Sequence, residues 1–222
     1  ALVTSSGDGF DLMCEGVSLA GIIETPIVIH IGQRPGPATG LPTRTEQADL
    51  NLALYAGHGE FPRAIFAPGS PEEAYQAMAQ AFYIADKYQV PTFVLTDQYF
   101  LDSVTTVAVK DLDAASNKRH IIETKADYER YAVTESGVSP RGIPGFGTGL
   151  VGVDSDEHDT FGHITESHLV RLEQHGKRLR KHQGIASEAL SPVASASLKK
   201  AKTVIVTWGS NKAVVEEVLS IL

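Results

Sequence analysis

The sequence predicts an α/β fold, a mostly parallel sheet with flanking helices. Two observations carry this. The runs "PIVIHI" (26–31) and "PTFVLTD" (91–97) are continuously apolar or β-branched, as strands buried on both faces are. Segments of helical period separate these runs from two more strand-like runs at 2–5 and 63–68, an order that makes βαβ units.

In chain order, strand 2–5 leads through the Gly turn "SSGDG" into a helix over 11–23, with Leu12, Val17, Ala20 and Ile23 apolar. Strand 26–31 opens the loop "GQRPGPATGLPTRTEQ" (32–47), and a helix over 45–56 follows. After strand 63–68 a helix starts at Ser70 as N-cap, with Pro71 at its first position and Glu73 completing a capping box. Ala74, Met78, Ala81 and Ala85 form its apolar stripe. Beyond strand 91–97, "VTTVAV" (104–109) reads as one more strand. The stretch 110–165 is polar and Gly/Pro-rich, and so long an irregular segment is usually functional or covers a partner. Residues 167–183 form a basic helix, read as a solvated face, and 184–197 a small-residue linker. From about Lys200 a strand, a Gly turn and a helix open a second unit. Both ends read as cut, since a lone β–α pair cannot bury both its faces.

The 222 residues are 42% apolar and 21% charged, as in ordinary globular proteins. A formal charge of -8 argues against nucleic-acid and anionic-membrane partners, which need a basic surface. Cys14 is the only cysteine, so the chain has no internal disulfide and cannot supply the ligands of an iron–sulfur cluster. That usage fits a reducing, cytoplasmic setting. No apolar run reaches membrane-spanning length and no signal peptide is evident.

The 32–47 loop raises a chemical question. Arg34 stands at the carboxyl end of a strand, where parallel sheets bind ligands. Thr43-Arg44-Thr45-Glu46 has the form of a capping box. An anion here would meet a guanidinium, a hydroxyl and the free amides of a first helical turn. Equally, Thr43 caps and Arg34 faces solvent; the residues leave both readings open. Gly7 and Gly9 allow either a tight βα turn or the close approach of a cofactor. "DSDEHDTFGHITE" (154–166) offers His158, His163, Asp154, Asp156, Asp159 and Glu166 to a metal, although its spacing also suits a solvated loop. His58 and Glu60 follow a helix end at Gly57, a candidate C-cap, and His58 reads as an ordinary loop histidine. Asp97 and Gln98 share the rim with Arg34, and Cys14 reads as a small core residue.

Taken in order, "TSSGDGFDLMCEG", "QRPGPATGLPTRTEQADL", "GHGEFPR", "KYQVPTFVLTDQY" and "SDEHDTFGHITE" resemble the α subunit of 2-oxoacid:ferredoxin oxidoreductases, most closely the 2-oxoglutarate (KorA-like) branch. The resemblance covers nearly the whole chain. It implies a thiamine-diphosphate-enzyme pyrimidine-binding domain over 1–183, incomplete at its N-terminus, a linker over 184–199, and the start of a transketolase-C-terminal-like domain over 200–222. It implies oxidation of a 2-oxoacid, with coenzyme A, to acyl-CoA and CO2, with ferredoxin as electron acceptor. Thiamine diphosphate would be shared with a β subunit that also carries Mg2+ and a [4Fe-4S] cluster. Arg34 and Thr43 would hold the substrate, and Gly7 and Gly9 would face the cofactor. No metal ligand and no catalytic residue is expected in this chain, because the family's activating Glu lies upstream, and the chain alone is expected to be inactive. The family usually has Pro where Asp8 stands here, which brings a charge close to the cofactor. Two alternatives remain from the residues, a metal-dependent hydrolase using the 154–166 loop and a non-catalytic assembly module.

Overall fold

The computed structural model describes residues 1–108, 118–190, 192–194 and 198–221. Its centre is a four-stranded, wholly parallel sheet in the order β1-β2-β4-β3. The strands are β1 (Leu2–Ser6), β2 (Ile27–Gln33), β3 (Ala64–Phe66) and β4 (Pro91–Asp97). Between them run α1 (Gly7–Asp11), α2 (Cys14–Ile22), α3 (Leu50–Tyr55) and α4 (Pro71–Tyr88). α5 (Gln98–Asp102), α6 (His168–Glu188) and α7 (Asn211–Ile221) follow β4. The four strands expected between residues 2 and 97 and the helical connections among them are present.

Strand alternation divides the core. Ile29, Ile31, Phe93 and Leu95 face Phe10, Val17, Ala53 and Ala56, which come from α1, α2, α3 and the residue after α3. Val28 and Val94 face Ala81 and Ala85 of α4. All seven residues of β4 are buried, as its unbroken apolar run predicts. Phe10 meets Phe93 edge-to-face at 5.5 Å, which pins α1 to the sheet.

Several element bounds differ from expectation. The helix expected over 11–23 is shorter, α2 over Cys14–Ile22; α1 ends at Asp11, and Leu12, between them, is 90% exposed. The Gly turn "SSGDG" is not a turn: α1 begins at Gly7, directly after β1. α3 begins at Leu50 with Asp49 as N-cap, so Thr43 caps nothing and the 43–46 capping box does not form. Instead the Gln33 side chain, delivered by β2, accepts from the Asp49 N–H at 3.1 Å and fixes the helix start there. α4 starts at Pro71 as read, with the Ser70 hydroxyl accepting from Glu73 N–H at 3.2 Å; the other half of the capping box is shifted, the Glu73 carboxylate accepting from Gly69 N–H at 2.8 Å, one residue before the N-cap.

Residues 104–108 form no strand, and Val109 lies outside the described residues. Residues 202–208 likewise form none: Val204, Ile205 and Val206 are exposed, and among the described residues no strand pairs with their backbone. Residues 118–167 contain no helix or strand, yet they are held. Thr124 is a hub whose hydroxyl and backbone bond Phe146, Thr148 and Gly149. Gly147 permits this at φ 103°, where a Cβ would stand 2.2 Å from the Thr124 carbonyl oxygen.

The basic helix departs furthest from expectation. α6 runs to Glu188, through the first five residues of the segment read as linker. Its charged stripe is not solvated: Gln174, Lys177, Arg178 and Lys181 are buried. Lys177 Nζ lies 2.6 Å from the buried Glu24 carboxylate, and Lys181 pairs with its other oxygen. Arg178 grips Glu157 with two parallel bonds of 2.9 and 2.8 Å. The stripe therefore docks on the buried Glu24 and the part-buried Glu157 carboxylates. Among the described residues no helix is long and apolar enough to cross a membrane.

Candidate functional site

The carboxyl ends of β1, β2 and β4 form one rim. Register places Ser6 beside Gly32 and Gln33 beside Asp97. Two residues past the Ser6–Gly32 pair stand Asp8 and Arg34, and the register brings them together. Arg34 Nη2 donates to Asp8 Oδ1 at 2.6 Å, and the Ser6 hydroxyl donates to the same oxygen at 2.6 Å. That hydroxyl first, and the guanidinium second, hold the Asp8 carboxyl down to about 2. Arg34 and Asp8 are 20% and 31% exposed, so the pair sits at the mouth of the rim.

A second carboxylate lies behind Arg34. Asp49 fills the space that a Cβ at Gly7 would take, 2.2 Å from its Oδ1. Burial pushes the Asp49 carboxyl above the usual range, against the pull of the Arg34 backbone N–H and charge. Among the described residues, the Arg34 Nε donor and the Asp49 Oδ2 acceptor are both buried without a hydrogen-bond partner.

The loop after Arg34 folds back on itself. Leu41 N–H donates to the Pro35 carbonyl at 3.2 Å, and Arg44 N–H to Leu41 at 3.1 Å. Thr43 is exposed within that 41–44 turn, and among the described residues no hydrogen bond joins it to Arg34. Gly9 lies in α1, where a Cβ would meet the Ser5 hydroxyl at 2.1 Å.

Asp97 completes the rim. It is buried, caps α5 through Phe100 N–H at 2.9 Å, and accepts from Gln47 at 3.2 Å and Ser210 at 2.6 Å. Gln47 also donates to the Trp208 carbonyl at 3.0 Å. The segment before α7 is thus tied to the same loop that carries Arg34. The sequence places Asp97 on the rim. The parts of Asp49, Gln33 and Gln47 are not visible in it, because their partners are 16 to 161 residues away.

The metal reading fails on geometry. Among the described residues, no three His, Cys, Asp or Glu side chains converge to hold an ion. Glu157 is clamped by Arg171 and Arg178; burial raises its carboxyl, but their hydrogen bonds win and hold it at about 2. His158 is buried, its ring tilted against Tyr131 at 3.9 Å between centroids, with Nδ1 at 2.9 Å from the Asp156 carbonyl. His163 pairs with Asp159 at 3.3 Å on the surface.

His58 is exposed, and its N–H donates to the Ser18 hydroxyl at 2.7 Å. Gly57, just after the Ala56 cap, takes the left-handed φ of 81° expected of it. Cys14 packs against the Phe10–Phe93 core, and burial pushes its thiol up. It also lines a cavity of about 610 Å³ between α2, the 57–61 loop and α6. The charged groups of that cavity are largely paired among themselves, Glu157 with Arg171 and Arg178, Glu60 with His175.

Comparison with known proteins shows the family of the chain. A family model described as "Pyruvate flavodoxin/ferredoxin oxidoreductase, thiamine diP-bdg" matches residues 1–177. The chain is 36% identical over 226 residues to subunit alpha of 2-oxoacid:ferredoxin oxidoreductase 1 from Sulfurisphaera tokodaii, a match covering 99% of this chain and 36% of that one. It is 42% identical over 98 residues to the 2-oxoglutarate synthase subunit KorA of Archaeoglobus fulgidus, covering 44% of this chain and 28% of that one. Among solved structures, 2-oxoglutarate:ferredoxin oxidoreductase from Magnetococcus marinus, with 2-oxoglutarate, coenzyme A and succinyl-CoA bound, superposes with a TM-score of 0.88 at 30% identity. That likeness covers 100% of this chain and 39% of that one. The chain spans about a third of the length of the curated α-subunit relatives it matches end to end. None of these relatives is named as a hydrolase or as a non-catalytic assembly module.

Proposed function

We propose, for a chain that belongs to the pyruvate flavodoxin/ferredoxin oxidoreductase, thiamine-diphosphate-binding family, that it is the pyrimidine-binding part of an α subunit which oxidatively decarboxylates a 2-oxoacid. 2-Oxoglutarate is the substrate we favour. Coenzyme A is the acyl acceptor and ferredoxin the electron acceptor. Residues 1–183 and the rest of α6 form the pyrimidine-binding unit, a linker follows to about 199, and 200–222 open a transketolase-C-terminal-like unit. A β subunit supplies the Mg2+ and [4Fe-4S] centres, and the assembly works in the cytoplasm.

One observation carries this reading: at the carboxyl end of a central strand stands a guanidinium donor, 20% exposed at the mouth of the rim and held there by Asp8. A carboxylate satisfies such a donor with a charge-assisted bond. Arg34 is the group that orients the 2-oxoacid, and the exposed Thr43 hydroxyl, from the 41–44 turn, is a second donor. The backbone around Gly7 and Gly9 is our candidate for the approach of the cofactor's pyrimidine half, with the Cβ space of each glycine taken by this chain's own Asp49 carboxylate and Ser5 hydroxyl. Thiamine diphosphate, when bound, supplies the electron sink for loss of CO2. This chain's contribution is orientation: a fixed guanidinium holds the carboxylate in a geometry from which it can leave.

The test uses the complete α subunit assembled with its β partner, with 2-oxoacid-dependent reduction of a viologen dye as readout. Arg34→Ala should lower kcat/KM for the 2-oxoacid by about a hundredfold or more. Arg34→Lys should recover only part of that, because an ammonium cannot grip bidentately. An unchanged rate in Arg34→Ala overturns the substrate role.

A further inference from the structure

Asp8 offers Arg34 the same chemistry as the substrate: a carboxylate on a guanidinium. The contact is built by the fold. β1 and β2 are register partners through Ser6 and Gly32, α1 starts at Gly7 with no intervening loop, and the Ser6 hydroxyl holds the carboxylate in place. Asp8 and the guanidinium are both partly open at the mouth of the rim, whereas the other carboxylate near Arg34, Asp49, is mostly buried, with Oδ2 sealed from solvent. An incoming anion therefore meets a cation already flanked by two carboxylates. Of the two, the one that can yield is Asp8.

We propose that Asp8 is a positioning residue that competes with the 2-oxoacid for Arg34, raising KM for that substrate alone. This rests on the reading that Arg34 binds the substrate carboxylate. In the free protein Asp8 keeps the guanidinium aimed at the mouth of the rim. Substrate displaces it from Nη2. When the substrate carboxylate departs as CO2, Asp8 re-pairs the guanidinium, so the loss of charge leaves no bare cation behind. The consequence is weaker ground-state binding without loss of the orientation that favours reaction. Asp8 stays ionised throughout the working pH range, so the competition does not titrate.

The experiment varies the 2-oxoacid and coenzyme A separately in the complete α–β enzyme, with viologen reduction as readout. Asp8→Asn keeps the size and removes the charge; KM for the 2-oxoacid should fall by about fivefold, with KM for coenzyme A unmoved. Asp8→Ser should do the same, and it serves if Asn perturbs the fold. Asp8→Glu, which restores the carboxylate, should return KM to within about twofold of the parent. Arg34→Lys is the control and should raise KM for the 2-oxoacid. If it does, while neither charge-removing variant lowers KM, the competition is wrong and the substrate role of Arg34 stands. If Arg34→Lys and the Asp8 variants all leave that KM unchanged, the reading of Arg34 itself falls.

Discussion

At Gly40 the backbone has φ 51°, and a Cβ would stand 1.9 Å from the Pro35 carbonyl oxygen. No side chain fits without opening the loop that runs from Arg34 to Thr43. Gly40→Ala should destabilise the subunit by about 1–3 kcal/mol and raise KM for the 2-oxoacid, checked by thermal unfolding and steady-state kinetics. Glu157 makes a different demand. It is the only carboxylate that the described structure sets against Arg178, which is 3% exposed. Glu157→Gln leaves that cation buried without a counter-charge and should cost about 3 kcal/mol in urea unfolding; a loss well under 1 kcal/mol would contradict the pairing. At this scale Arg34 was legible, because an arginine just past a buried strand is placed by the strand itself. Its partners were not. Asp8 meets Arg34 through strand register, and one sequence does not print register.

α4 and α6 mark the range of what helix patterns reveal. α4 announces its start through Ser70, Pro71 and Glu73, and the structure forms that cap. Ser70→Ala should cost about 1 kcal/mol. α6 looked solvated because its residues are charged, and charged residues are rarely buried unpaired. Lys177 and Lys181 are four residues apart on one face, and they converge on Glu24, whose own backbone is left-handed at φ 51°. The helical spacing was readable; the acid that pulls it inward lies more than 150 residues earlier. Glu24→Gln leaves two ammonium groups on an uncharged amide and should destabilise by about 3–5 kcal/mol, more than Lys181→Met, in which Lys177 still pairs. Equal losses in the two variants would mean that the pairs are not the hinge of this packing.

Across the molecule, the parallel sheet was legible because each strand is a short apolar run and each connection a helix. Residues 104–108 and 202–208, read as strand, form none among the described residues because β-branched composition does not supply a ladder partner. The buried acids also give the protein a pH signature. Glu24 and Glu157 are both desolvated, yet their cationic partners hold them at about 2, below the ordinary 4.5. A carboxyl depressed in the folded state contributes stability above its unfolded value, and that stability is lost as pH falls. The loss should run from about pH 4.5 down to about 2. It should shrink in Glu157→Gln when unfolding is followed against pH. Lys177 runs the other way: burial, against the pull of Glu24, pushes it down to about 8. Its penalty is present below that value and is relieved as pH rises toward its ordinary 10.5, so alkali does not loosen α6 through this group.

The most direct measurement is a structure of the assembled α–β complex with a 2-oxoacid bound. The guanidinium of Arg34 is then expected within hydrogen-bonding distance of the substrate carboxylate, with Asp8 displaced from Nη2. A substrate carboxylate held elsewhere, with Arg34 still closed on Asp8, would contradict the account.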